Sequence, residues 1–304
     1  MRKLAVVAIL LAMAGGLAFW FLTAPNRLPN QRLAAIGEGD AARGEQVFWA
    51  GGCTSCHAAP GATGDAKLSL SGGLELATDF GTFVAPNISS DTSDGIGAWS
   101  VADFANAMMA GVSPDGSHYY PAFPYTSYTR MSDQDVADLF AFMKTLPAVS
   151  GAAPGHKIGF PFNIRRAMGG WKLLFMRSGQ AVTLAEVTPQ VERGQYLVEG
   201  PGHCGECHTS RNLVGGIYYS NWLAGAPAAE GEGFVPNITS GEGGLGSWSA
   251  ADIAYYLESG FTPEFDSVGG AMVAVQQNMA KLSKDDRDAI AAYLKAVPAR
   301  AENR

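Results

Sequence analysis

The chain has 304 residues, of which 47% are hydrophobic, 10% aromatic and only 16% charged, with a net charge of −7. Its length allows roughly one to three units, each with a buried core, and its composition excludes a disordered chain, which needs high charge and few aromatics. No run of five like charges and no basic patch is present, so nucleic-acid binding is not expected.

Met1-Arg2-Lys3 opens the chain, and an uncharged apolar run follows from Leu4 to Leu22. A bilayer core is spanned by about 20 residues. The positive charges before the run keep the N-terminus cytoplasmic and send the rest across. The competing reading is a cleaved signal sequence with Ala12-Met13-Ala14 as its cleavage site. Against it, the run continues through Phe19-Trp20-Phe21-Leu22, with the tryptophan near the outer interface. Residues 1–24 are therefore read as an N-terminal membrane anchor (or signal sequence). Both readings export the same body.

A helix is expected from Asp40 to Gly51, leading into Cys53-Thr54-Ser55-Cys56-His57. No stretch alternates long enough for a real sheet, although a short strand pair fits around Leu68 to Leu76. Ser100 is an N-cap with Asp103 three residues on, close to a capping box. Its helix closes near Gly111, a suitable C-terminal cap. Ser132, with Asp135, opens a third helix, on which Val136, Leu139, Phe140 and Met143 share an apolar face. Pro147 stops it. The stretch from Ala148 to Thr188 is long for a connection in a compact protein. It holds Arg165, Arg166, Lys172 and Arg177 around Trp171. Two readings compete: a segment packed across both halves with a basic docking surface, or a solvated linker. The order then recurs. A helix from Pro189 to Glu199 leads into Cys204-Gly205-Glu206-Cys207-His208, and a strand pair fits around Ile217 to Trp222. Ser249 with Asp252 opens a helix ending near Gly260. Ser283 with Asp286 opens the last, with Ile290, Tyr293 and Leu294 on one face and Pro298 after it.

The recurrence is also literal. Arg43-Gly44-Glu45-Gln46 matches Arg193-Gly194-Gln195-Tyr196. Phe83-Val84-Ala85-Pro86-Asn87-Ile88-Ser89 matches Phe234-Val235-Pro236-Asn237-Ile238-Thr239, and Gly97-Ala98-Trp99-Ser100 matches Gly246-Ser247-Trp248-Ser249. Matched blocks in one order, offset by about 150 residues, mean a duplicated unit. The units are placed at 37–148 and 189–300, with a linker at 149–188.

All four cysteines lie in the two pairs, and a histidine follows each pair directly. Two thiols three positions apart on a turn can each add to one vinyl group of a haem, and the adjacent histidine then meets the iron. One zinc ion held by four cysteines would not call for either histidine and would have to bridge the repeats. A thioredoxin-like redox pair needs a βαβ context, which is absent. A disulfide between cysteines three apart closes almost no loop. The reading is two covalently attached haem c groups, on Cys53, Cys56 and His57 and on Cys204, Cys207 and His208.

Each iron then has a sixth position. Methionine is the ligand that raises the potential of an electron carrier. Met131, directly before Ser132, is the candidate in the first unit, with His118 as the alternative. Met108, Met109 and Met143 read as core. In the second unit Met272 follows Gly269-Gly270-Ala271, whose glycines let backbone pass close to a haem; Met279 is second. Met131 itself aligns with Leu282. Trp99, Trp248, Asn87 and Asn237 recur and read either as hydrogen-bond donors to haem propionates or as packing and turn residues.

Ala85-Pro86-Asn87-Ile88-Ser89, Gly95-Ile96-Gly97-Ala98-Trp99-Ser100, His118-Tyr119-Tyr120-Pro121-Ala122-Phe123-Pro124-Tyr125 and Gly269-Gly270-Ala271-Met272 resemble the membrane-anchored, multi-haem cytochrome c subunits of bacterial periplasmic alcohol, gluconate and sorbitol dehydrogenases. The resemblance covers roughly residues 37 to 300. Those subunits usually have three haem domains where this chain has two. Some carry methionine at the position of Phe123, which cannot ligate iron.

The resemblance implies an all-α fold, two tandem class I cytochrome c-type domains after an N-terminal transmembrane helix. It implies a non-enzymatic electron carrier held at the bacterial inner membrane with its haem domains in the periplasm. Its partners would be the catalytic subunit of a periplasmic dehydrogenase, or the cytochrome bc1 complex and a terminal oxidase. The alternatives are a di-haem enzyme such as a peroxidase, which needs an open iron position, and a scaffold with structural haem.

Overall fold

The computed structural model describes residues 1–229 and 233–302. The apolar N-terminal run forms one helix, α1 (Arg2–Leu22), long and apolar enough to cross a membrane, with none of its residues buried. A short α2 (Asn30–Ala35) then brings the chain onto the body. There Leu28 N donates to Asn106 Oδ1 at 2.8 Å and Arg32 pairs with Asp133 at 2.8 Å.

The body is mostly helical and is built around two apolar cores. In the first unit α3 (Ala41–Ala50) starts on Asp40, whose carboxylate accepts from Ala42 N and Arg43 N. The turn α4 (Cys53–His57) follows Gly52, which sits at φ 57°. A hairpin of β1 (Glu75–Thr78) and β2 (Gly81–Val84) comes next. After it, α5 (Val101–Ala105) carries the Ser100–Asp103 capping box and runs into a π-helical turn over Asn106–Ala110, closed by Gly111 at φ 59°. Then come α6 (Tyr125–Tyr128) and α7 (Asp133–Met143), the latter capped by Ser132. Helix α3 crosses α7 at Gly44, where any Cβ would fall inside the Asp138 carbonyl and 2.9 Å from Phe142 Cβ. That close crossing brings Val47 and Phe48 against Val136, Leu139, Phe140 and Met143. Burying a large aliphatic or aromatic side chain is worth about 1.5–3 kcal/mol.

The linker carries α8 (Ala167–Phe175). The second unit repeats the plan with α9 (Pro189–Glu199), α10 (Gly205–His208), a two-residue hairpin of β3 (Ala226–Pro227) and β4 (Phe234–Val235), α11 (Ala250–Ser259), α12 (Met272–Met279) and α13 (Lys284–Ala296). Helix α9 crosses α13 at Gly194, where a Cβ would fall inside the Ala289 carbonyl and 2.8 Å from Tyr293 Cβ. Buried Glu199 accepts from Tyr293 Oη at 2.6 Å and from Ala181 N at 2.6 Å, which ties the linker to this core.

Helix positions and caps follow the sequence reading closely. The strand pairs do not. Residues 64–69 and 219–221 form 3₁₀ turns, and the hairpins lie after them, so the body is helical with two small antiparallel pairs rather than wholly α. Gly72 and Gly73, at φ 72° and 99°, break the first expected strand. The linker is not a solvated tether. Arg165 donates to His118 O at 3.0 Å and Arg166 to Thr23 Oγ1 at 3.1 Å. Lys172 donates to Ala110 O and Gly111 O at 2.7 Å each, and Trp171 Nε1 donates to Val214 O at 2.8 Å. Arg165, Arg166, Trp171 and Lys172, with Arg177 over the Tyr219 ring, thus clamp the linker to both units and to the end of α1, and the expected basic docking surface is largely consumed.

Candidate haem-attachment sites

The two cysteine motifs form equivalent short turns. Ser55 N donates to Gly52 O at 2.8 Å, and His208 N to Cys204 O at 3.0 Å, so each pair and its histidine project from one turn of backbone. No disulfide joins any of the four cysteines. No group of three or more His, Cys, Asp or Glu side chains able to hold a metal ion occurs among the described residues, so the pairs do not assemble into one four-cysteine site.

Each histidine is oriented by a proline carbonyl. His57 Nδ1 lies 2.9 Å from Pro86 O, and His208 Nδ1 lies 2.8 Å from Pro236 O. A carbonyl only accepts, so Nδ1 carries the proton and Nε2 keeps its lone pair, the tautomer and orientation a metal-bound imidazole needs. Burial lowers the pKa of both rings, opposed by these hydrogen bonds, and keeps them neutral. Sequence reasoning missed the two prolines. Their signal was present in the duplicated Pro-Asn-Ile-Ser/Thr block, without an indication of which atom acts.

The same block settles the asparagines. Asn87 Nδ2 donates to Val149 O at 2.7 Å and to Gly151 O at 2.9 Å, while Oδ1 accepts from Ser89 N. Asn237 Nδ2 donates to Arg300 O at 2.8 Å, while Oδ1 accepts from Thr239 N. Both amides are committed to stitching the tail after the last helix onto the loop that orients the histidine. The expectation that they donate to propionates gives way to this. Trp99 and Trp248 stay half-buried beside their cores.

Among the methionines, Met131 is buried in the first core, against which Cys53 packs. His118 is turned away, with Nε2 2.9 Å from Thr23 O at the end of α1. Met108, Met109 and Met143 are core residues. In the second unit Met272 is half-buried at the start of α12 and packs against the core that Cys204 also touches, whereas Met279 is buried within it. A Cβ at Gly269 or Gly270 would meet nothing within 4 Å, so the backbone before Met272 borders open space. The donor set in each unit thus fits a haem: two thiols and a pre-oriented imidazole on one turn, with a thioether from a later segment. His203 and His156 are structural, bonded to Pro201 O and Val84 N respectively.

The two sites also touch each other's units reciprocally. Thr54 Oγ1 donates to Asn278 Oδ1 at 2.8 Å, and Asn278 Nδ2 donates to Ser55 Oγ at 2.8 Å. Conversely, Thr126 Oγ1 and Ser127 Oγ donate to Glu206 Oε1 at 2.6 and 2.8 Å. Ser55 and Glu206 are equivalent in the repeat, as are Ser127 and Asn278, so the contact has an internal pseudo-two-fold. Burial pushes the Glu206 carboxyl up, but Arg211 and the two hydroxyls more than offset it and hold the pKa low.

A protein-family model described as cytochrome c matches residues 41–147. A "Diheme cytochrome c-type" protein of Cereibacter sphaeroides is 54% identical over 299 residues, covering 98% of this chain and 99% of that one. The "Fructose dehydrogenase cytochrome subunit" of Gluconobacter japonicus is 35% identical over 86% of this chain, and the match spans 53% of its own length. The "Alcohol dehydrogenase (quinone), cytochrome c subunit" of Gluconobacter oxydans is 35% identical over 84% of this chain and 54% of its own length. The chain thus spans about half the length of these two dehydrogenase cytochromes.

Proposed function

The chain belongs to the di-haem c-type cytochromes, electron-transfer proteins with two covalently bound haem c groups, and we propose that it is a membrane-tethered carrier whose haems sit on Cys53, Cys56 and His57 and on Cys204, Cys207 and His208. The observation that carries the site assignment is the pair of imidazoles locked through Nδ1 to Pro86 O and Pro236 O at 2.9 and 2.8 Å. Each leaves Nε2 directed away from its own hydrogen bond. Met131 and Met272 are the sixth ligands, and the units 37–148 and 189–300 are two tandem cytochrome c domains joined by 149–188. The haems supply one-electron iron chemistry. The chain holds them, fixes the ligand tautomer, shields them from water and sets their mutual placement through the Ser55–Asn278 and Ser127–Glu206 contacts.

The anchor is α1, with Arg2 and Lys3 on the cytoplasmic side and the body in the periplasm of a bacterial inner membrane. The relatives' names include cytochrome subunits of dehydrogenases. This supports a periplasmic dehydrogenase catalytic subunit as electron donor here. A shuttle between a bc1 complex and a terminal oxidase uses the same chemistry. With both iron positions filled by methionine, no substrate site is left for a peroxidase.

Replacing Met131 or Met272 by Leu tests this. Each variant should lose one methionine–iron charge-transfer band and shift one of two one-electron potentials while leaving the other in place. If Met272→Leu changes neither and Met279→Leu does, the second ligand is Met279. If no methionine variant alters the spectrum, methionine ligation fails, and rapid binding of cyanide by the oxidised protein would then overturn the carrier reading.

A further inference from the structure

Outside α1, exposed large apolar side chains concentrate around the linker. Phe160 is 81% exposed, Leu173 64% and Leu174 74%, with Phe162 and Ile164 beside them. Monomeric surfaces rarely show such a contiguous patch without a partner. Helix α8 explains its direction. Trp171 and Lys172 face the body, bonded to Val214 O and to the Ala110 and Gly111 carbonyls. The other face carries Arg166, Gly169 and Gly170, which meet the end of α1. Arg166 stacks its guanidinium 4.2 Å from the Trp20 ring and donates to Thr23 Oγ1, and a Cβ at Gly169 would fall on the Thr23 backbone. Leu173 and Leu174 continue that same face by one further turn. The open apolar surface therefore begins where the membrane-spanning helix ends.

Charge does not oppose this: between Asp138 and Glu186 the chain has no acidic residue. Leu213 and Val214, 98% and 53% exposed, adjoin this surface through the Trp171 Nε1–Val214 O bond, whereas a separate group, Tyr255, Phe261 and Phe265, lies among Glu258, Glu264 and Asp266 and far from α1 in sequence. An exposed apolar face with no carboxylate in its own segment, continuous with the end of an apolar helix, suits a segment that lies in the bilayer interface.

We propose that residues 160–174 form a membrane foot: Phe160, Phe162, Ile164, Leu173 and Leu174 insert into the outer leaflet of an anionic bilayer beside the exit of α1. The proposal rests on the reading of α1 as an uncleaved anchor. Two attachments, one spanning and one interfacial, fix the haem body at a set height and tilt, and the bonds of Thr23 to His118 and Arg166 make the end of α1 continuous with the foot. The haem sites then face partners in one orientation.

The test uses the full-length haem-loaded protein in vesicles of phosphatidylethanolamine and phosphatidylglycerol containing a photoactivatable diazirine lipid, with labelled residues located by mass spectrometry. Lipid adducts are expected on α1 and on 160–174, and at least fivefold fewer around 255–265. The double variant Leu173→Glu, Leu174→Glu, whose sites are exposed, should keep its haem spectrum and its α1 adducts but lose most adducts on 160–174. Adducts on α1 alone, or equal labelling of 255–265 and 160–174, overturn the foot while leaving the anchor. Absence of adducts on α1 overturns the anchor reading instead, whatever is seen at 160–174.

Discussion

Asn278→Ala probes the contact between the two units at its centre. The wild-type side chain is buried and makes two hydrogen bonds across the interface, to Thr54 and Ser55, and a third to Ala274 O on its own helix. Thr54 is 4% exposed, so its hydroxyl cannot turn to water when the acceptor goes. An orphaned buried hydroxyl costs about 1–3 kcal/mol, and the bond to the more accessible Ser55 adds about 0.5–1. The total is about 1.5–4 kcal/mol, and at about 2–4 °C per kcal/mol for a chain of this size it lowers the midpoint by about 3–16 °C. Thermal unfolding of the haem-loaded protein, followed by helix circular dichroism and by haem absorbance, reads it. Because the loss falls between units, the variant should also separate one transition into two. Gln277→Ala is the control, since Gln277 is exposed and its bond to Lys67 lies at the surface, where losing it leaves no buried group unpaired and costs about 0.5–1 kcal/mol or less. A midpoint unchanged to within about 1 °C, on that same scale, would refute the claim that these bonds hold the units together.

Gly44→Ala forces α3 off α7 at the Asp138 carbonyl and should cost about 3 kcal/mol or more, since overpacking alone costs about 1–3. Gly15→Ala, which meets nothing within 4 Å, should stay within about 0.5 kcal/mol. Chemical denaturation of both variants separates the two. Burial lowers Lys172 to about 7, against about 10.4 in an unfolded chain. Across that window the unfolded chain binds more protons, so stability rises with pH. Unfolding free energies at pH 7 and pH 9 should therefore differ in wild type, and Lys172→Met should abolish the Lys172 part of that rise.

What was legible in the sequence is what local chemistry dictates. Ser100, Ser132, Ser249 and Ser283 cap helices because a hydroxyl followed three residues later by Asp satisfies backbone donors within one turn. Gly111 and Gly260 end them by accepting positive φ. Each attachment motif carries its chemistry in five consecutive residues. What stayed hidden depends on residues far apart. Asn278 meets Thr54 across 224 positions, and nothing near either predicts the other. Asn87 read equally well as a haem contact or a turn residue until its partners, Val149 and Gly151, were placed. The linker's arginines and Lys172 looked like a free basic patch because their acceptors are backbone carbonyls and rings, which have no signature in sequence. The identity of the second sixth ligand stayed open for a related reason: Met272 and Met279 occupy the two ends of one helix, and only the first has glycines before it.

Six-coordination of both haems, with histidine on one side and methionine on the other, is what makes the protein a carrier of electrons that transforms no substrate. The direct measurement is the optical spectrum of the oxidised full-length protein before and after addition of peroxide or cyanide. A methionine–iron charge-transfer band with the intensity of two haems per chain is expected, with no rapid change on adding either ligand. A band with the intensity of one haem, together with fast binding of peroxide or cyanide, would contradict it and make this chain an enzyme with an open iron.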